Sequence, residues 1–134
     1  MAGSGPGVQW LPFRGVTRLL PHWVPNAGLR LAGGGRMLVY TGDSGSGPQI
    51  ADLAQGADLL LAEASYVDHV PEDSRRYLSS ARRAGQQAAQ AGTGHPVLTH
   101  LLPGTDHRAA RAAASAEYDG DISVATVGLV LDLR

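Results

Sequence analysis

The sequence predicts a single α/β domain, because short apolar runs of strand length alternate with alanine-rich stretches of helical period and glycines punctuate the joins. At 134 residues, 43% of them hydrophobic, the chain can build one modest core and is too short for two ordinary domains. The expected element order is β-β-β-α-β-α-β-α-β-β. Residues 1–7 hold Gly3, Gly5 and Gly7 with Ser4 and Pro6, too little apolar surface to offset the entropy of ordering them. Residues 1–12 are therefore expected to be a flexible N-terminus and residues 13–134 the domain.

Strands are expected at 16–20, 29–32 and 37–41, with Gly33, Gly34 and Gly35 turning the chain between the last two. Gly42 stops the third strand. Gly47-Pro48 then supplies a cap and first-turn pair, and Ile50, Leu53, Ala54 and Ala57 recur at helical spacing. Residues 59–62 form a continuous apolar run, as in a strand covered on both faces. Pro71, Glu72 and Asp73 open the longest periodic segment, in which Tyr77, Ala81, Ala84, Ala88 and Ala91 repeat every three or four residues up to Gly92. A buried strand at 96–99 follows, then an alanine-rich helix at 106–116 closed by Gly120. Two last strands are expected at 122–125 and 129–131, split by Gly128.

Composition removes several kinds of chemistry. Eleven arginines face twelve acidic residues, so the net charge is -1 and the broad positive field of a general nucleic-acid binder is missing. The chain has no lysine, which excludes a Walker A phosphate loop, a Schiff-base lysine and a lysine general base. It has no cysteine either, so disulfides and thiolate metal sites are excluded. No apolar run reaches the roughly 18 residues needed to cross a bilayer, and the first ten residues lack the order of a signal peptide. The expected setting is the cytoplasm, without a membrane partner.

In an α/β layer the polar sites sit in loops that leave the strand ends. Tyr40-Thr41-Gly42-Asp43-Ser44-Gly45 puts a carboxylate at such an end, beside glycines that let another group approach the backbone. Asp43 there is either a metal ligand or the side chain of an Asx-type turn before the helix at Pro48. Thr99-His100-Leu101-Leu102-Pro103-Gly104 repeats the arrangement, so His100 and Asp43 could meet at one rim of the sheet, although a lone His is commonly structural. Gly42-Asp43-Ser44-Gly45-Ser46-Gly47-Pro48 is similar to the nucleophile segment of trypsin-like proteases. That reading is rejected, since it would require a longer double barrel, a different order of partners, and strands where this chain turns helical. Asp106 is most simply the N-cap of the helix that follows it, and His69 and His95 receive no role.

Four segments in order carry a family likeness: Gly28-Leu29-Arg30-Leu31 ahead of the glycine turn; Val39-Tyr40-Thr41-Gly42-Asp43-Ser44-Gly45; Gly56-Ala57-Asp58-Leu59-Leu60-Leu61-Ala62-Glu63-Ala64-Ser65-Tyr66; and Val97-Leu98-Thr99-His100-Leu101. Together they resemble the C-terminal half of a metallo-β-lactamase-fold hydrolase, of the branch with ribonuclease Z-like enzymes and related phosphodiesterases. The resemblance implies half of an αββα sandwich. It also implies that Asp43 bridges two metal ions as the catalytic carboxylate and that His100 binds one of them. It sets His22 near the site, the alternative being a ring packed beside Trp23. It gives Glu63 the work of organising the surrounding loop, the alternative being an exposed strand-end carboxylate.

The sequence departs from the family pattern in two places. The H-x-H-x-D-H metal motif and the further His ligand ahead of the T-G-D segment are absent, and Ala62 stands where the transfer-RNA-processing members carry a His. Two readings follow: a metal-dependent, phosphodiesterase-like hydrolase whose metal site is incomplete in this chain, or a non-catalytic truncated or degenerate half-fold that associates with itself or a partner chain. Zinc suits the His and carboxylate donors, manganese is also compatible, and either is expected only where a homodimer or complementing chain completes the site. The substrate would be a phosphodiester small molecule or a nucleic acid.

Overall fold

The computed structural model describes residues 4–10 and 13–133. Its elements run β1 (Ser4–Trp10), β2 (Phe13–Leu19), β3 (Ala27–Gly33), β4 (Arg36–Tyr40), α1 (Pro48–Ala54), β5 (Leu59–Glu63), a 3₁₀ turn (Glu72–Ser74), α2 (Ala81–Ala91), β6 (Pro96–Thr99), α3 (His107–Ser115) and β7 (Ser123–Val124). The seven strands form one sheet in sequence order. β1 to β4 pair antiparallel through hairpins, whereas β4 to β7 pair parallel because helices occupy the connections. The β3–β4 turn falls on Gly34 and Gly35, both at positive φ (57° and 74°), which the tight hairpin needs and which glycine adopts without a Cβ clash.

The helices lie on one face of the sheet. Val39, Leu60, Ala62, Leu98 and Val124, at alternating strand positions, pack with Ile50 and Leu53 of α1, Ala84 and Ala88 of α2, and Ala110 and Ala114 of α3. Small side chains set the spacing. At Gly85 of α2 a Cβ would stand 2.4 Å from the Ala114 carbonyl oxygen, so the two helices touch backbone to backbone there. Arg30 reaches from β3 to donate to the carbonyls of Leu53 (2.6 Å) and Gln55 (2.9 Å), satisfying groups left open at the end of α1. On the opposite face, register lines up Leu29 with Tyr40, Leu31 with Leu38, Leu38 with Leu59, and Leu61 with Val97. No helix among the described residues covers that apolar row. One sheet with helices on one side is half of an αββα sandwich.

Three expectations are corrected. Ser4–Trp10, within the stretch expected to be flexible, is β1 and pairs with β2 from Trp10 opposite Phe13 out to Ser4 opposite Arg18. An edge strand needs only one backbone neighbour, and Pro6 sits in the irregular register between Ser4 and Gly7, where a missing N–H is tolerated. Residues 1–3 and 11–12 lie outside the described residues. The helix expected from Pro71 begins at Ala81, capped by Ser80, whose side chain accepts from the Arg83 N–H at 3.1 Å. Residues 78–80 leave the helical path because Ser79 and Ala81 exchange backbone bonds with Tyr66, a tertiary ladder that local periodicity does not report. Residues 129–131 form no strand. The final ladder bond runs from the Ala125 N–H to the Leu98 carbonyl, after which Gly128 turns the chain at φ 82° and Val127 and Val130 are exposed.

Candidate metal centre

Asp43 and His100 come together at the end of the parallel strands. Asp43 leaves β4 through Gly42, whose φ of 62° suits glycine and whose missing Cβ makes room for Asn26, since a Cβ would stand 2.3 Å from Asn26 Oδ1. Asn26 clamps this turn. Its Nδ2 donates to the Thr41 carbonyl at 3.1 Å and its Oδ1 accepts from the Asp43 N–H at 3.2 Å. Asp43 is therefore aimed by a side chain from the β2–β3 loop, and an Asx turn of its own is not what orients it.

His100 follows β6 at φ 61°, the one non-glycine residue at positive φ among the described residues. Such a conformation costs about 1–3 kcal/mol and persists where its surroundings over-determine it. Ser65 supplies that constraint: its hydroxyl donates to the His100 carbonyl at 3.2 Å, and its Oγ lies 3.0 Å from His100 Nδ1. In the tautomer with the proton on Nδ1, the ring donates to Ser65 Oγ while Ser65 donates to the carbonyl. Nε2 faces Asp43 Oδ1 at 3.4 Å, and in that tautomer its lone pair is free for a cation.

A ring nitrogen and a carboxylate oxygen at that distance pair directly when Nε2 carries a proton and can share a cation when it does not. The donors fit a metal ion, because adjacent ligands of a tetrahedral zinc with bonds near 2.1 Å stand about 3.4 Å apart. A ligating imidazole also ordinarily gives its second N–H to a supporting group, as Nδ1 does with Ser65 in that tautomer. Both side chains are open to solvent, His100 at 42% and Asp43 at 48% exposure, leaving room for further ligands and a substrate. Among the described residues no cluster of three or more His, Asp or Glu forms a complete metal cage.

Glu63 is buried, with its side chain 1% exposed, so it is not the exposed strand-end carboxylate that the sequence left open. Each of its oxygens has a task. Oε1 accepts from the Ser65 N–H at 2.5 Å and stands 3.6 Å from His100 Nδ1, while Oε2 accepts from the Ser79 N–H. Its own N–H donates to Thr41 Oγ1 at 3.0 Å, which ties β5 to the Asp43 turn. Burial raises the Glu63 pKa above the ordinary carboxylate value, opposed by the Ser65 and Ser79 donors and by His100. Tyr40, on the strand that leads to Asp43, is likewise raised, by burial first and by the Asp43 charge second.

His22 is placed differently. Its Nδ1 donates to the Tyr77 carbonyl at 2.8 Å and its ring meets Trp23 edge-on at 6.2 Å, the packed alternative that the sequence left open. Its neighbour Pro21 accepts from the Gly45 N–H at 2.8 Å, so this loop braces the Asp43 turn through backbone. Asp106 caps α3 by accepting from the Arg108 and Ala109 N–H groups, and His95 bonds Ser123 Oγ at 2.8 Å at the other end of the strands. Sequence reasoning missed Asn26, Thr41, Ser65 and Ser79. Thr41 and Ser65 carried a signal, standing two residues before Asp43 and two residues after Glu63 in the family segments.

The Beta-lactamase superfamily domain matches residues 5–101. The chain belongs to the metallo-β-lactamase superfamily. Within it, the uncharacterized protein ML1173 of Mycobacterium leprae is 38% identical over 120 residues, 89% of this chain and 42% of the relative. Ribonuclease Z of Myxococcus xanthus is 36% identical over 104 residues, 74% of this chain and 33% of that enzyme. The crystal structure of the metallo-beta-lactamase fold protein YhfI from Bacillus subtilis superposes with a TM-score of 0.89 at 27% identity, covering 95% of this chain and 52% of YhfI. The chain thus spans about half the length of these superfamily members or less. No helix among the described residues is long and apolar enough to cross a membrane.

Proposed function

We propose that this chain contributes Asp43 and His100 to the metal centre of a phosphodiesterase-like hydrolase, with zinc as the preferred ion and manganese also compatible. The carrying observation is Nε2 of His100 facing Asp43 Oδ1 at 3.4 Å, each side chain open to solvent. The relatives named as ribonuclease Z and metallo-β-lactamase fold protein support the reaction class.

Asp43 and His100 would hold a metal ion there, and its positive charge would polarise a phosphoryl oxygen and lower the pKa of a bound water. The protein residues do the positioning. Ser65 holds the plane of His100, Asn26 aims Asp43, and Glu63 locks both loops from below through the Ser65 and Ser79 N–H groups. Two protein ligands hold an ion poorly by themselves, so further donors from outside these residues would complete the site, as a homodimer or a complementing chain could supply. The partly exposed Leu29, Leu31, Leu38 and Leu61 on the sheet face without helices favour a second reading, in which this chain is a non-catalytic half-fold that docks through that face.

Elemental mass spectrometry of the purified chain, with hydrolysis of bis-p-nitrophenyl phosphate followed on the same sample, tests the first reading. Stoichiometric metal with turnover is expected, lost in Asp43→Ala and in His100→Ala and kept in His69→Ala. Equal loss in all three variants means nonspecific metal, and metal-free, inactive protein leaves only the docking reading.

A further inference from the structure

Beside the Asp43 turn lies an open cleft of about 1060 Å³, bordered by Ser46 on one side and by the Arg75 to Arg83 segment on the other. Four of the chain's eleven arginines line it, in a protein whose net charge is -1. Among the lining residues Asp68 is the single carboxylate, and it is already engaged with Arg82 at 2.8 Å; Arg82 also reaches Glu117 at 3.2 Å. Arg82 is thus neutralised within the fold. Arg75 and Arg76 are exposed and Arg83 touches only the neutral Gln86, so three guanidinium charges remain over one concave surface.

The placement runs against local preference. Arg83 stands in the first turn of α2, where the helix dipole disfavours cations, and its guanidinium bonds only the neutral Gln86 among the described residues. A cation held against that field without an acidic partner points to an external anion. An aromatic platform adjoins the arginines. Tyr77 lines the cleft and stacks with Trp23 at 5.6 Å and 28°, and Trp23 is 73% exposed, so one face of the indole rests on Tyr77 and the other meets solvent. The cleft is built into the metal site. A Cβ on Gly45 would stand 2.5 Å from the Arg76 carbonyl oxygen, and Ser79 of the same segment donates to Glu63.

We propose that this cleft binds the nucleotide portion of a substrate, with Arg75, Arg76 and Arg83 holding a phosphate and the base stacking on the solvent face of Trp23. Guanidinium forks match phosphate oxygens, and an aromatic face accepts any base. This deepens the hydrolase reading by naming its substrate class, and it rests on that reading only in calling the ligand a substrate.

Metal-free protein carrying Trp10→Phe, so that Trp23 alone reports, is titrated with a nucleoside 5′-monophosphate, the matching nucleoside and inorganic phosphate. The monophosphate is expected to quench Trp23 fluorescence, to bind at least about tenfold more tightly than the nucleoside, and to weaken as salt rises. Arg75→Ala with Arg76→Ala, both exposed, is expected to lose about tenfold or more in affinity. Calorimetry on the unsubstituted chain gives the same comparison if Trp10→Phe does not fold. Unchanged affinity in the arginine variant, a nucleoside binding as well as its monophosphate, inorganic phosphate binding equally well, or no binding at millimolar ligand each overturns the proposal. Asp43→Ala separates the two readings, since it is expected to abolish metal uptake and leave nucleotide binding intact.

Discussion

Replacing Glu63 with Ala tests whether the buried carboxylate is the joint between the two halves of the candidate site. The substitution removes the acceptors of two N–H groups, those of Ser65 and Ser79, in a place that water does not reach. A buried donor left unpaired costs about 1–3 kcal/mol, so the pair amounts to about 2–6 kcal/mol. Relief from burying a carboxylate offsets part of this, which leaves an expected loss of about 2–4 kcal/mol. Glu63→Gln keeps one acceptor and turns an NH2 group toward the other N–H, so about half that loss is expected. The dependence on pH has a definite sign. Because burial raises the Glu63 pKa in the folded state, its contribution is fully present below the unfolded value of about 4.5 and declines as pH rises through the folded value. The stability gap between the parent chain and Glu63→Ala should therefore be widest near pH 4 and narrow toward pH 8. Urea unfolding at a series of pH values measures it. A loss below about 1 kcal/mol, or a gap that widens with pH, would refute the assignment of Glu63 as a desolvated acceptor of both donors.

Two further outcomes follow from packing. Gly85→Ala adds a Cβ 2.4 Å from the Ala114 carbonyl oxygen, so despite the better helix propensity of alanine a net loss of about 1–3 kcal/mol is expected; a thermal melt of equal or higher midpoint would show that α2 and α3 can separate freely. The apolar row of Leu29, Leu31, Leu38 and Leu61 opposite the helices should drive self-association, with Leu38→Arg shifting the chain toward monomer in sedimentation velocity. A parent chain that is already a monodisperse, cooperatively melting monomer would contradict that expectation.

Much of the helical layer could be read directly. β3, β4, β5 and β6 are apolar runs of strand length bounded by glycines, and α1 and α3 follow cap residues with alanines at helical spacing. Asp43 and His100 stood out because both are polar residues at the ends of such runs. What escaped depends on partners far along the chain. β1 is held by backbone pairing that its Gly-rich sequence does not advertise, and residues 78–80 leave the helical path because of Tyr66 and Glu63. The apolar spacing of residues 129–131 suggested a strand, but beyond β7 they have no strand to pair with among the described residues.

By itself, then, the sequence determined the class of the fold, the absence of lysine and cysteine chemistry, the order of the family segments, and which carboxylate and imidazole end buried strands. Those properties are local, set by periodicity, side-chain type and backbone preference. Only the tertiary structure decided that Nε2 of His100 stands 3.4 Å from Asp43, that Asn26 and Ser65 aim the two side chains, and that the arginines of one segment gather into a cleft with Trp23 beside them. Such facts belong to the meeting of segments from 17 to 57 residues apart, such as Asn26 with Asp43 and Asp43 with His100, where hydrogen-bond geometry and burial act across space.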